Sequence, residues 1–268
     1  MLIDTHCHLD AAEFSGQAGE LAQLAGAAGV QRLVIPAVCK DNFAQVAALG
    51  RLGGYALGIH PLYVPAAGED DLRLLRDLVE QSMADPNFVA VGEIGLDFFV
   101  PQLCTPEMRD RQMFFYLEQL RLAKKFGLPV LLHVRRSVDQ ILKGLRQIAV
   151  SGGIVHAFNG SEQQAQMLIK LGFKLGFGGA MTYTRALQIR RLATSLPLTA
   201  IVLETDAPDI APSWLTSGPN TPAQLASIAG VLAELRNLSS DAIATATTAN
   251  ALAVLPRLNA RPGAGLDQ

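Results

Sequence analysis

Short apolar runs alternate with amphipathic stretches along the whole chain. The runs are rich in valine, isoleucine and leucine, a composition typical of parallel strands buried on both faces. Between the runs, apolar residues recur at helical spacing, as at Leu72, Leu75 and Val79. A helical segment follows each of the predicted strands, which begin at or near Leu2, Arg32, Tyr55, Phe88, Pro129, Gly153, Phe173 and Ala200.

This alternation predicts a single (β/α)8 TIM barrel, the fold in which parallel strands joined by helices close on themselves at about 250 residues. The chain has 268 residues and no change of composition that would mark a linker. We assign residues 1–256 to the barrel and expect residues 257–268 to form a frayed tail. A doubly wound sheet is the alternative, but residues 5–10 (THCHLD) replace the glycine-rich turn that follows its first strand.

Local signals predict where several elements begin and end. We expect the fourth strand to end at Gly92, with Glu93 directly after it. Ser137 and Gln140 have the spacing of a capping box at the start of a helix. Another helix is expected to span about residues 183–195.

Composition and charge exclude several classes of protein. The net charge is −2 at pH 7 and no block of lysine or arginine occurs, which argues against nucleic-acid binding through a broad basic face. The three cysteines lack CxxC spacing, so neither a disulfide framework nor a cysteine zinc site is indicated. We find no signal peptide and no long apolar run, and we expect a cytoplasmic protein without membrane contact. The sequence indicates no protein partner, and we expect a monomer.

All five histidines lie at the carboxyl ends of predicted strands, and two carboxylates end strands in the same way. In a closed barrel these ends share one rim, where barrel enzymes build their active sites. The candidate residues are His6, His8, His60, Glu93, His133, His156 and Asp206. A single catalytic ion typically uses three protein ligands, so this excess of imidazole and carboxylate donors predicts a two-metal site.

Six short motifs occur in a recognisable order: DxHxH at residues 4–8, GIHP at 58–61, GEIGLD at 92–97, LHxR at 132–135, VHxF at 155–158 and ETDAP at 204–208. Together they resemble the TatD family of metal-dependent hydrolases, and within it the YjjV-like branch. The resemblance implies a barrel of the amidohydrolase superfamily and metal-dependent deoxyribonuclease activity. It also implies that metal is bound by the residues matching the family's ligands, namely His6, His8, Glu93, His133, His156 and Asp206. Residues 216–222 depart from the commoner family pattern, because no basic residue precedes the Asn-x-Pro there.

The metal ligands are expected to divide between two ions. We expect the two histidines of the first motif to bind one ion with Asp206, and His133 and His156 to bind the other, with Glu93 bridging both. Asp206 is also expected to orient the attacking water and to take its proton. Histidine-rich coordination favours zinc, cobalt or manganese, whereas phosphate substrates often arrive with magnesium.

We expect four further residues to act near the metal ions. We expect His60 to donate a hydrogen bond to the substrate phosphate or leaving group, and Arg135 to pair with a phosphate through its guanidinium. Glu204 and Asp4 lie beneath the ligands in the predicted strands. They either orient the ligands or serve only as buried hydrogen-bond partners.

The function predicted from these observations is hydrolysis of phosphodiester bonds by attack of a metal-bridging hydroxide. DNA ends or short single strands are the expected substrates, because few phosphates can be neutralised outside the metal site. A hydrolase of amide, ester or cyclic-amide bonds is the first alternative, since the same hydroxide attacks a carbonyl. A non-enzymatic metal-binding or scaffold protein is the second alternative.

Overall fold

The computed structural model of the chain describes residues 1–260. Its strands are β1 Leu2–Asp4, β2 Val30–Pro36, β3 Gly53–Leu57, β4 Phe88–Asp97, β5 Val130–Arg135, β6 Gly153–Val155, β7 Phe173–Phe177 and β8 Ile201–Leu203. Its α-helices are α1 Ala18–Ala27, α2 Phe43–Leu49, α3 Glu69–Ser82, α4 Pro106–Phe126, α5 Val138–Gln147, α6 Glu162–Lys170, α7 Leu187–Ser195, α8 Leu225–Arg236 and α9 Ser240–Val254.

The strands form one parallel sheet in the order β1 to β8. Backbone hydrogen bonds just past the ends of β1 and β8 bring the two edges together: Thr5 N–H donates to Leu203 O at 3.1 Å, and Asp206 N–H donates to His6 O at 2.9 Å. The predicted (β/α)8 barrel is therefore confirmed. In the part of the chain that the structure describes, none of the helices has both the length and the apolar character needed to cross a bilayer.

Alternation along the strands produces two apolar layers. Leu33 packs outward against the helices, whereas its neighbour Val34 belongs to a separate cluster with residues of the other strands inside the barrel. Leu255 and Leu258, from the end of α9 and the turn after it, join that inner cluster. The amino end of the barrel is thus closed by apolar packing, and a cavity lies at the opposite rim.

The turn that follows α9 spans Pro256–Ala260. Arg257 in this turn donates hydrogen bonds to Met83 O at 3.0 Å and to Asp85 O at 2.8 Å. Residues 257–260 of the expected tail therefore lie in a packed turn, and the rest of that tail lies outside the described residues.

Three predicted boundaries differ from the structure. β4 continues to Asp97, because its pairing with β5 shifts register after Val91 and then resumes, so Glu93 lies within the strand. The predicted capping box of α5 does not form, since Ser137 Oγ donates to Leu96 O at 2.7 Å instead of capping the helix. Helix α7 begins at Leu187, later than predicted, because residues 183–186 form a separate turn in which Ala186 N–H donates to Tyr183 O at 3.0 Å.

Candidate metal centre

The carboxyl ends of the strands surround a cavity of about 1060 Å³. The predicted site residues all meet there, although they come from different strands. Those that line the cavity are His8, His60, Glu93, His133, Arg135, His156 and Asp206. His6 is fully buried beneath His8, with 3.2 Å between their Nε2 atoms.

Glu93 lies at the centre of this arrangement, and each of its two carboxylate oxygens faces a different set of imidazoles. Oε2 lies 3.2 Å from His6 Nε2 and 3.5 Å from His8 Nε2. The same two nitrogens lie 3.6 and 3.8 Å from Asp206 Oδ1. These four donor atoms form the first cluster.

The second cluster surrounds the other oxygen of Glu93. Oε1 lies 2.9 Å from His156 Nε2, 3.1 Å from His133 Nδ1 and 3.3 Å from His60 Nε2. His156 Nε2 and His133 Nδ1 are themselves 3.3 Å apart. Asp206 is not confined to the first cluster, since its Oδ1 also lies 4.0 Å from His156 Nδ1.

The spacing of these donors fits metal ions. Donors at about 2.0 to 2.2 Å from a tetrahedral zinc ion are about 3.3 to 3.6 Å from one another, close to the separations in both clusters. Three overlapping groups have donor atoms within 4.8 Å of each other: His6, His156 and Asp206; His6, His8 and Glu93; and His60, Glu93 and His133. Histidine and carboxylate together are the donor set of zinc and related transition ions. Both clusters therefore have the donor types and spacing of a candidate metal site, and Glu93 contributes one oxygen to each.

The hydrogen-bond partners of the second ring nitrogen distinguish His60 from the other histidines. His60 Nδ1 accepts the backbone N–H of Leu62 at 3.1 Å. In a neutral ring the proton is then on Nε2, so Nε2 is a donor and has no lone pair for a metal. His60 Nε2 is as close to Glu93 as the ligand candidates are, but in this tautomer it donates a hydrogen bond to an oxygen instead of binding a metal ion.

Asp97 is a site residue that we did not predict. Its Oδ2 lies 3.1 Å from His133 Nε2, and its Oδ1 accepts the N–H groups of Phe99 at 2.8 Å and Val100 at 3.0 Å. A carboxylate partner on Nε2 leaves the Nδ1 lone pair of His133 directed at the second cluster. The sequence signal for Asp97 is its spacing from Glu93, because residues four apart lie on the same face of a strand that continues past Gly92.

Two buried carboxylates support the backbone beneath the clusters. Asp4 accepts hydrogen bonds from His6 N–H at 3.2 Å, from Thr205 N–H at 3.0 Å and from Thr205 Oγ1 at 2.6 Å. Glu204 accepts the N–H of Ala157, the residue after His156. Burial raises the pKa of Asp4 to about 7 and that of Glu204 to about 8. Both residues hold backbone segments that carry metal-ligand candidates.

The electrostatics of the centre divide the imidazoles around a charged Glu93. Burial lowers the pKa of His6 to about 3 and that of His60 to about 4, so both rings are neutral at pH 7. Against the opposing effect of burial, Glu93 raises the pKa of His8 to about 9 and that of His156 to about 10. Burial alone would raise the pKa of Glu93, but interactions with the surrounding imidazoles hold it well below its usual range. A neutral imidazole with a free lone pair and an ionised carboxylate are the forms that bind a metal ion, so metal binding must displace a proton from His8 and from His156.

The backbone at Asp206 is held in an unusual conformation. Its φ is +56°, in the left-handed region that residues other than glycine rarely occupy. The N–H of Asp206 donates to His6 O, so the first motif fixes this conformation. Such conformations persist where the surrounding structure imposes them, often at functional sites.

Comparisons with known proteins show which family this chain resembles. A family model described as TatD related DNase matches residues 3–256. YjjV of Escherichia coli, named as an uncharacterized metal-dependent hydrolase, is 42% identical over 254 residues, which cover 92% of this chain and 95% of YjjV. The crystal structure of YjjV has a TM-score of 0.89 at 40% identity, covering 95% of this chain and 98% of that one.

More distant proteins are also similar to this chain. A human protein named deoxyribonuclease TATDN3 is 30% identical over 265 residues, covering 96% of this chain and 95% of the relative. A variant of organophosphorus hydrolase is 13% identical with a TM-score of 0.67, covering 95% and 92% of the two chains, which shows a shared barrel fold. The YjjV-like resemblance is thus confirmed. With a family model that covers nearly all of its length, the chain belongs to the TatD family of metal-dependent hydrolases.

Proposed function

We propose that the protein is a binuclear metal-dependent phosphodiesterase that trims DNA ends or short single strands. The observation that carries the proposal is the position of Glu93, whose two oxygens face separate sets of imidazoles. A carboxylate in that position suits two ions better than one. The name of the human relative, a deoxyribonuclease, supports a nucleic-acid substrate.

The ligand sets favour zinc, manganese or cobalt over magnesium, because most of the donors are imidazoles. His6 and His8 with Asp206 would hold one ion, and His133 and His156 the other, with Glu93 shared between them. When bound, the two ions would lower the pKa of a water molecule and neutralise charge on the phosphate oxygens.

Asp206 is suited to handle the proton of the attacking water. Its carboxylate lines the cavity, and Oδ1 lies within 4.0 Å of ring nitrogens on three histidines, so its orientation is fixed by both clusters. In the metal-free protein, burial raises the pKa of Asp206, in the direction that favours acceptance of a proton. We assign it the orientation of water and the acceptance of its proton.

His60 and Arg135 are suited to contact the substrate. The Nε2–H of His60 is directed at the second cluster, where it would donate to a phosphate oxygen or to the leaving oxygen. Arg135 is exposed at the end of β5 and lines the same cavity. Its guanidinium would pair with a phosphate through two parallel hydrogen bonds.

The experiment compares substrates with the enzyme loaded in turn with zinc, manganese, cobalt or magnesium. An end-labelled single strand is expected to be shortened, whereas a covalently closed circle of the same composition should resist. Equal cutting of the closed circle would reject end trimming.

Hydrolysis of amide, ester or cyclic-amide bonds remains the second candidate, because residues 216–222 carry no basic residue that would bind phosphate. A panel of such substrates is measured with the same enzyme and metal. A preference of about a hundredfold in kcat/KM for a carbonyl substrate would favour this candidate over the phosphodiesterase.

A further inference from the structure

Two arginines at the mouth of the cavity have no partner that neutralises them. The guanidinium carbon of Arg135 lies 3.7 Å from the centre of the Phe99 ring, and that of Arg136 lies 4.7 Å from it. All three residues line the cavity, and Phe99 is 42% exposed. Within residues 1–260, neither guanidinium lies within 4.0 Å of a carboxylate or donates a hydrogen bond to the protein, unlike the ion-paired Arg73 and Arg121.

The local backbone explains how consecutive arginines reach the same ring. On a regular strand their side chains would point to opposite faces. Arg136 has a φ of +55°, and the next residue, Ser137, is anchored by its hydrogen bond to Leu96 O. The chain therefore turns sharply after β5, and both guanidinium groups lie over Phe99. Each carries five N–H donors in a fixed plane, the geometry that matches phosphate oxygens.

Charge is distributed unevenly around the mouth. The arginine pair and Phe99 follow β5 and β4, whereas Asp10, Glu13 and Asp209 follow β1 and β8 on the opposite side of the barrel. Two carboxylates lie on the arginine side, and both have other partners. Asp139 accepts a hydrogen bond from Gln164 at 2.8 Å, and Asp97 accepts the N–H of Phe99 and lies 3.1 Å from His133 Nε2. An anionic part of a substrate is therefore favoured on the arginine side, and an uncharged part on the opposite side.

We propose that Phe99, Arg135 and Arg136 form a second phosphate subsite, which selects nucleotides that carry another phosphate beside the one cleaved. Arg135 is two residues farther along β5 than His133, about 6 to 7 Å toward the mouth. Stacked on Phe99, its guanidinium is held outside the metal centre, where it would meet the next phosphate of the strand. This subsite rests on the proposed phosphodiesterase function, and it recognises a second phosphate on the substrate.

The test uses three dinucleotides: dithymidine monophosphate, and the same molecule with an added 5′-phosphate or an added 3′-phosphate. One of the phosphorylated forms is expected to be cleaved with about ten- to a hundredfold higher kcat/KM, the value of one or two charge-assisted hydrogen bonds. The form that is preferred also shows on which side of the scissile bond the subsite lies. Arg136→Gln and Phe99→Leu are expected to reduce this preference to less than about threefold.

Arg109→Gln is the matched control, because Arg109 stacks on Phe98 at 4.6 Å without lining the cavity. It should retain the preference. A second readout is the anisotropy of a labelled single-stranded tetranucleotide bound to the chelator-treated protein at several salt concentrations. Arg136→Gln should reduce the slope of log affinity against log salt by about 0.7, corresponding to one lost phosphate contact.

The outcomes separate the two proposals. If all three dinucleotides are cleaved equally and Arg136→Gln behaves like Arg109→Gln, the subsite is rejected while phosphodiester cleavage stands. If none is cleaved with any metal but the salt slope still falls in Arg136→Gln, the subsite stands as an anion site and the phosphodiesterase proposal fails. A salt slope in Arg136→Gln that equals the wild-type value would overturn the subsite independently of activity.

Discussion

Replacing Asp97 with asparagine should weaken metal binding at the second cluster without unfolding the protein. Asp97 Oδ1 accepts the N–H groups of Phe99 and Val100, and an asparagine must direct its carbonyl oxygen to the same two donors. The amide NH₂ group then occupies the position of Oδ2, 3.1 Å from His133 Nε2. A donor at this position favours the His133 tautomer that carries its proton on Nδ1, the atom that faces Glu93.

The expected magnitude follows from the charge that is lost. Although burial opposes ionisation, the hydrogen bonds from His133 and the two backbone N–H groups lower the pKa of Asp97 to about 2. The native partner of His133 is therefore a full carboxylate. Losing such a partner typically weakens metal affinity about 10- to 100-fold, equivalent to about 1.4 to 2.7 kcal/mol. The free energy of unfolding should change by less than about 1 kcal/mol, because both backbone hydrogen bonds remain.

Affinity is measured by competition with a chromogenic chelator, and stability of the metal-free protein by urea unfolding. Asp85→Asn is the control, since Asp85 Oδ1 also accepts a backbone N–H, from Asn87 at 2.8 Å, but lies outside the cavity. Two ions bound by Asp97→Asn with the wild-type affinities would refute the tautomer argument. A loss of affinity accompanied by an equal loss of stability would mean that Asp97 acts only through the fold.

Three further predictions test the centre and the barrel. Glu93→Ala should reduce metal content from two ions per chain to at most one weakly bound ion and abolish turnover; elemental analysis that finds one ion in the wild type would contradict the shared carboxylate. Asp206→Asn should lower kcat by about a thousandfold or more with little change in KM, whereas His60→Ala should lower kcat/KM by about ten- to a hundredfold and keep both ions. If His60→Ala loses an ion, His60 is a ligand and its tautomer has been assigned wrongly. Arg257→Ala should lower the free energy of unfolding by about 2 to 4 kcal/mol, because three backbone carbonyls lose a charged donor, whereas Arg121→Ala in an exposed ion pair should change it by less than about 1 kcal/mol.

Much of the architecture was predictable because a parallel barrel repeats one simple pattern. Each strand is buried on both faces, so it occurs in the sequence as an apolar run, and each helix has an apolar face at regular spacing. A buried polar residue at the end of such a run costs free energy unless hydrogen bonds or a metal ion satisfy it. The position of His133 or His156 directly after an apolar run is therefore an informative signal in the sequence alone.

The element boundaries that were predicted wrongly depend on contacts between residues far apart in the sequence. The register shift that carries β4 past Gly92 is decided by pairing with β5, and Ser137 caps no helix because Leu96 O is within its reach. Neither partner is close in sequence to the residue that it affects. The same reason explains why Asp97 was missed, since its role depends on a strand that was expected to end before it.

The sequence by itself determined the barrel, the family and the candidate ligands, because burial and spacing are properties of local segments. Only the tertiary structure decided how those ligands are grouped. It divided the oxygens of Glu93 between two clusters, fixed the proton of His60 through Leu62 N–H, and brought Arg136 over Phe99. These features are distances and directions between residues far apart in the chain, and they exist only once the eight strands have closed into one rim.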